Sequence, residues 1–290
     1  MPPMRLRVLW GVLCLCASWP GAALATVRVV ATIFPLADLV RQVGGDEVEV
    51  MTLLPPGASP HTFEPTPEQA RQVATARLFV EVGAGLDAWA ARLRAARTAP
   101  LTVVTATAGL SLLDGEHGEG GDPHVWLDPV LVRDHIVGAI VEGLAAAAPD
   151  RRAAFERGAT QLRDTLTRLD AEVRAILTPA QRRSYVAFHA AWRYFGRRYD
   201  LTEVAVVESF PGKEPSAREI AALVDRARAA HAAALLVEPQ FAPRTAEQIA
   251  REFGGRTVLA DPIGGAQLPG RQSYADLMRY NAHAFVEALR

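Results

Sequence analysis

The 290 residues carry 31 basic and 32 acidic side chains, a formal charge of −1, and a 50% share of hydrophobic residues. That mixture excludes a disordered or collagen-like chain. The near-zero charge argues against a general nucleic-acid binder, which needs a positive excess to meet phosphates.

The first segment reads as an export signal. Arg5 and Arg7 precede an apolar run from Val8 to Ser18, and Ala23-Leu24-Ala25 offers a small-x-small cleavage site. The run is shorter than the ~20 apolar residues a membrane-crossing helix needs, which disfavours the alternative of a retained anchor. Neither Cys14 nor Cys16 follows the small residue expected of a lipoprotein site. Removing residues 1–25 would leave 265 residues with a charge of −3, since Arg5 and Arg7 leave too, and with no cysteine. A metal site in that mature chain must come from His and carboxylates, not thiolates.

Next comes an alternation of β-branched runs and helical stretches. Strands are predicted at Val27–Thr32, Val48–Leu53, Leu78–Val82 and Leu101–Thr105, with helices at Pro35–Gly44, Pro67–Ala76 and Leu86–Arg97. This is the βαβ pattern of a mostly parallel sheet. The middle of the chain is purely helical. Pro129–Ala148 forms one helix, and Pro149 opens another that runs to Leu177.

In this second helix Phe155, Ala159, Leu162, Leu166, Leu169, Val173 and Ile176 recur at steps of three and four, giving one apolar stripe. Residues 149–177 would span about 43 Å as a helix. A strut between two lobes fits better than the alternative, a homodimeric coiled coil, because α/β patterns flank it on both sides. The alternation then restarts, with strands at Tyr185–Phe188, Val204–Val207, Ala234–Val237 and Thr257–Leu259. Helices are predicted at His189–Tyr199, Ser216–Ala230, Pro243–Phe253 and Tyr274–Leu289. The expected architecture is α/β: two lobes with mostly parallel sheets (26–148 and 178–290), joined by a single long rigid helix (149–177).

Four side chains stand beyond the carboxyl ends of predicted strands, the edge at which open α/β sheets bind ligands. His61 follows the second strand and His124 the fourth, while His189 ends one strand of the second lobe and Asp261 follows another. Three imidazoles and one carboxylate would complete a tetrahedral Zn²⁺ sphere in the inter-lobe cleft. Taken singly, a histidine beside a strand is more often a hydrogen-bonded structural residue, and Asp261-Pro262 is most simply a turn. The joint placement carries the reading. His135, His231 and His283 read as helix-surface or helix-end residues. His117, in the acidic, Gly-rich loop Asp114–Asp122, reads as part of a solvated loop that could offer a weak transient metal site.

The segments Pro55-Pro56-Gly57-Ala58-Ser59-Pro60-His61-Thr62-Phe63-Glu64-Pro65-Thr66-Pro67, Asp122-Pro123-His124-Val125-Trp126-Leu127-Asp128-Pro129 and Phe188-His189-Ala190-Ala191-Trp192-Arg193-Tyr194-Phe195 resemble the zinc/manganese solute-binding proteins of bacterial ABC transporters. So do Pro211–Ser216, Val237–Phe241 and Asp261–Gly264, and the resemblance spans nearly the whole predicted mature chain. It implies two α/β lobes joined by one long helix, a single metal in the cleft, and ligands at His61, His124, His189 and Asp261. Histidine at the third position resembles the zinc-type members, whereas manganese-preferring members would carry a carboxylate there.

Two departures stand out. Where zinc-type relatives often carry a long His-rich loop, this chain has only His117, which leaves room for manganese or iron. Ala190 replaces the acidic residue that often follows the third ligand, which bears on how His189 is oriented. The resemblance implies a periplasmic, monomeric binding protein that carries Zn²⁺, with Mn²⁺ as the alternative cargo, to a permease with its ATPase. It implies no enzyme. An exported zinc hydrolase with Glu64, Glu208 or Glu238 as base is disfavoured because no hydrolase signature occurs and four protein ligands leave no position for water. A surface adhesin on the same fold has nothing in the sequence to suggest it.

Overall fold

Strand β1 (Val27–Ala31) lies between β2 (Val48–Thr52) and β3 (Leu78–Glu81), and β4 (Thr102–Thr105) completes a parallel sheet in the order β2-β1-β3-β4. The computed structural model describes residues 25–97, 99–114, 120–208, 212 and 215–290. The predicted signal segment up to Leu24, the loop residues 115–119 around His117, and Pro211, Lys213 and Glu214 of the 211–216 motif lie outside the described residues. No helix among the described residues is long and apolar enough to cross a membrane.

All four residues of β3 are buried, as expected for a parallel strand covered on both faces. Helices α1 (Phe34–Gly44), α2 (Pro67–Thr75) and α3 (Ala90–Ala95) make the crossovers. Helix α2 starts at a capping box: Thr66 Oγ1 accepts from the Gln69 amide, and the Gln69 side chain accepts from the Thr66 amide. From Pro129 the chain forms α4 (Pro129–Leu131), a π-helical turn (Val132–Ile136) and α5 (Val137–Ala147). The predicted helix over 129–148 is therefore present, with a wider π-helical turn in its first half and its end at Ala147. A 3₁₀ turn at Pro149–Arg151 leads into α6 (Arg152–Leu177), whose 26 α-helical residues span about 39 Å, slightly less than predicted.

The second sheet repeats the first in topology. Strands β5 (Ser184–His189), β6 (Thr202–Glu208), β7 (Ala234–Val237) and β8 (Arg256–Leu259) run parallel in the order β6-β5-β7-β8. Helices α7 (Arg193–Arg198), α8 (Ala217–Ala229), α9 (Pro243–Glu252) and α10 (Tyr274–Ala288) surround it. One boundary differs from the sequence reading in a way that matters. His189 is the last residue of β5 and does not begin a helix. Ala190, Ala191 and Trp192 separate it from α7, so the strand's hydrogen bonds fix its backbone.

The apolar stripe of α6 is buried inside the chain, against α1 and α5 on one side and α10 on the other. This settles the strut against the coiled coil. The same apolar cluster contains Leu39 and Val80 of the first half and Trp192 and Phe285 of the second. Polar ties add to it. Trp126 Nε1 donates to the Pro262 carbonyl at 2.7 Å, Tyr274 Oη donates to the Trp126 carbonyl at 2.7 Å, and Arg198 grips both oxygens of Asp128 at 2.8 Å. Such two-pronged Arg–carboxylate contacts are geometrically selective.

Candidate metal centre

In each sheet the chain changes winding direction between its two central strands, and ligands bind at such a crevice. In the first sheet that place is filled from within. Asp87 Oδ2 accepts from Thr32 Oγ1 at 2.8 Å and from the Val82 amide at 2.6 Å, while Oδ1 accepts from the Gly83 amide at 3.0 Å. Burial pushes the Asp87 carboxyl above its usual range, and burial together with Asp87 does the same to Glu81. In the second sheet the equivalent place, between β5 and β7, holds His189 and Glu238.

Three imidazoles converge at these edges. The His61–His124, His61–His189 and His124–His189 ring centroids are 5.6, 4.9 and 5.1 Å apart. One nitrogen of each lies within 4.8 Å of the others, and among the described residues no other group of three His or carboxylate side chains does so. Two of the rings are held from behind by carboxylates. His124 Nδ1 lies 2.8 Å from Asp122 Oδ1, which also accepts from the His124 amide. His189 Nδ1 lies 3.2 and 3.3 Å from the two oxygens of Glu238, one residue beyond β7. A neutral imidazole that donates its Nδ1 proton to a carboxylate keeps the Nε2 lone pair for a metal. His124 and His189 are 1% and 2% exposed, so their orientation is set by packing as well.

His61 is anchored differently. It sits on the Pro- and Gly-rich loop after β2 and is half-buried. The loop is held one residue earlier, where Trp89 Nε1 donates to the Pro60 carbonyl at 2.9 Å, and Phe63 packs edge-on against the Trp89 ring.

Asp261 stands outside the trio. It follows β8 at the same sheet edge, where the Ala260 amide donates to the Val237 carbonyl. Both of its oxygens are engaged. Oδ1 accepts from the Ile263 and Gly264 amides at 2.9 and 3.0 Å, and Oδ2 accepts from Arg271 Nη1 at 2.8 Å. Gly264 has φ +66°, and a side chain there would press on the Arg271 carbonyl, so this tight turn requires glycine. The other described histidines lie apart. His135 bonds the Ala108 carbonyl from the π-helical turn, His231 follows α8, and His283 is exposed on α10.

Three further residues belong to the arrangement. Asp122 was legible only as a neighbour of His124, and Arg271 carried no signal at all. Glu238 is legible in the sequence only as part of the Val237–Phe241 segment and as a disfavoured base for hydrolysis. Its carboxylate is committed to His189, and it supplies the acidic partner that Ala190 cannot.

Residues 29–288 match the sequence profile of the zinc-uptake complex component A family of periplasmic proteins, ZnuA. The chain belongs to this family. It is 30% identical over 251 residues to the zinc-binding lipoprotein AdcA of Streptococcus pneumoniae, a match covering 82% of this chain and 50% of AdcA. The chain thus spans about half the length of that relative. The high-affinity zinc uptake system protein ZnuA of Bacillus subtilis is 26% identical over 280 residues, covering 91% and 88% of the two chains. Among solved structures, a ZnuA crystal structure superposes with a TM-score of 0.82 at 30% identity, covering 92% of this chain and all of that one. The laminin-binding protein Lmb of Streptococcus agalactiae, described as a bifunctional adhesin and metal transporter, gives 0.79 at 25%, with 91% and 100% covered. The two-lobed architecture with one long connecting helix is that of the family's solved members.

Proposed function

We propose that this protein captures Zn²⁺ outside the cytoplasmic membrane, as a monomer exported through a cleavable signal peptide, and delivers it to an ABC-transporter permease with its ATPase. The observation that carries this reading is the convergence of His61, His124 and His189, two of them backed by carboxylates. Imidazole is a borderline ligand that suits zinc, whereas manganese favours oxygen-rich sites. Asp261 is the proposed fourth ligand. No catalytic step is needed: binding and release suffice, and with Glu238 tied to His189 it is not placed as a general base.

The test is metal analysis of the protein purified from the periplasm without added zinc, followed by titration with Zn²⁺ and competition by Mn²⁺. One tightly held zinc per chain, lost in His189→Ala and retained in His283→Ala, is the expected result. Equal effects of the two substitutions, or manganese displacing zinc at equal concentration, would overturn it.

A further inference from the structure

We infer that Arg271 is a release determinant: it competes with the metal for the Asp261 carboxylate and so keeps the fourth ligand detachable. This rests on the reading of the three histidines as the zinc site. Asp261 Oδ2 can accept from Arg271 Nη1, as it does at 2.8 Å, or coordinate a cation at about 2.0–2.2 Å, but the guanidinium and a divalent ion cannot share that position. The side chains of Asp261 and Arg271 are 5% and 15% exposed. Removing one partner of an ion pair this sheltered leaves an uncompensated buried charge, which a second cation at the same oxygen would neutralise.

The surroundings support an exchange in place. Asp261 Oδ1 stays fixed by the Ile263 and Gly264 amides, so only Oδ2 has to change partner. Its neighbour Pro262 is tied to Trp126, whose ring lies 5.2 Å from that of His124, which keeps the Asp261 turn beside the imidazoles. Arg271 stacks over the Tyr280 ring at 4.7 Å, on a loop whose Gly265 amide donates to the Arg271 carbonyl at 3.2 Å. A cavity of about 620 Å³, lined in part by Arg271, Glu238, Leu268 and the His61-loop residues Pro56 and Gly57, gives the guanidinium room to withdraw. The occupancy of the ion pair then divides the intrinsic zinc affinity, because the binding-competent carboxylate is present only part of the time.

The experiment is chelator-competition affinity and stopped-flow release of Zn²⁺ from wild type, Arg271→Met, Asp261→Asn and the double variant. Methionine keeps a long apolar stem against Tyr280 while removing the competing charge. Arg271→Met is expected to bind zinc on the order of tenfold more tightly and to release it correspondingly more slowly, because the carboxylate is then always available. Asp261→Asn should bind more weakly, and Arg271→Met should gain nothing in the Asp261→Asn background. Co²⁺ bound to Arg271→Met should show the stronger visible absorption of a four-ligand tetrahedral site. If Arg271→Met unfolds, Arg271→Gln keeps a polar donor without the competing charge and should release zinc more slowly than wild type. Unchanged or weaker binding in a folded Arg271 variant, or tightening that persists without Asp261, would overturn the inference. Failure of wild type to bind zinc would instead sink the three-histidine reading, and this inference with it.

Discussion

Trp126, in the 3₁₀ turn Val125–Leu127 that ends the long connection after β4, gives its indole N–H to the carbonyl of Pro262, 136 residues later, at 2.7 Å. Trp126 is fully buried and its ring lies against His124, so this single bond joins a candidate ligand in the first half to the Asp261 turn in the second. Trp126→Phe keeps a ring beside His124 but leaves the Pro262 carbonyl without its donor. A loss of about 1–3 kcal/mol is expected. In a chain of this size each kcal/mol lowers the melting temperature by about 2–4 °C. Calorimetry of the metal-free protein checks it, and an unchanged melt would mean that the bond adds nothing to stability.

Glu238→Gln preserves shape and an acceptor for His189 while removing the negative charge. Orienting partners of metal-bound histidines typically change affinity by about 10–100-fold, so zinc binding should weaken by at least about tenfold with little change in the metal-free melt. Equal zinc affinity in the two proteins would show that packing alone orients His189.

The Trp89–Pro60 bond is a polar hold on the loop carrying His61, one residue before it. Trp89→Phe retains the edge-on contact with Phe63 but frees the Pro60 carbonyl. The expected outcome is faster zinc release, by severalfold, at nearly constant association rate. If release is unaltered, the loop is held by its prolines and not by this anchor.

Glu81 and Asp87 set a pH dependence in the first lobe. Burial first, and then the neighbouring Asp87, raise the folded-state pKa of Glu81, with Arg94 acting in the opposite sense. A carboxyl raised on folding favours the folded state while protonated, and that advantage is lost as pH rises through its folded-state value. Glu81→Gln, which cannot ionise, escapes the loss. The difference in melting temperature between Glu81→Gln and wild type should therefore be more positive at pH 7 than at pH 4 in the metal-free protein. A difference that is flat or reversed between those two pH values would contradict the assignment.

The strands were legible because parallel strands buried on both faces read as short continuous apolar runs, as at Leu78–Val80 and Ala234–Val237. The α6 strut was legible because its stripe holds one period for the whole length. The three histidines were legible because each ends a strand or lies in the connection that leaves a strand's carboxyl end, the edge at which such sheets bind ligands. Pairings across the fold were not. The Glu238–His189 contact spans 49 residues and depends on the β5–β7 pairing. Arg271 reaches Asp261 through the tight turn at Gly264, and no periodicity marks a partner ten residues away. The start of α7 was misjudged because Ala190 and Ala191 are good helix formers, while the β5 hydrogen bonds hold His189 extended.

Helix α6 has a consequence for how such a molecule can be taken apart. Its greasy edge is sheathed jointly by α1 and α5 from one half and by α10 from the other, so neither half possesses a complete interior of its own. A chain severed within Arg152–Leu177 should yield two sticky fragments instead of two working modules, and swapping halves between relatives would require carrying the matching sides of this spine along.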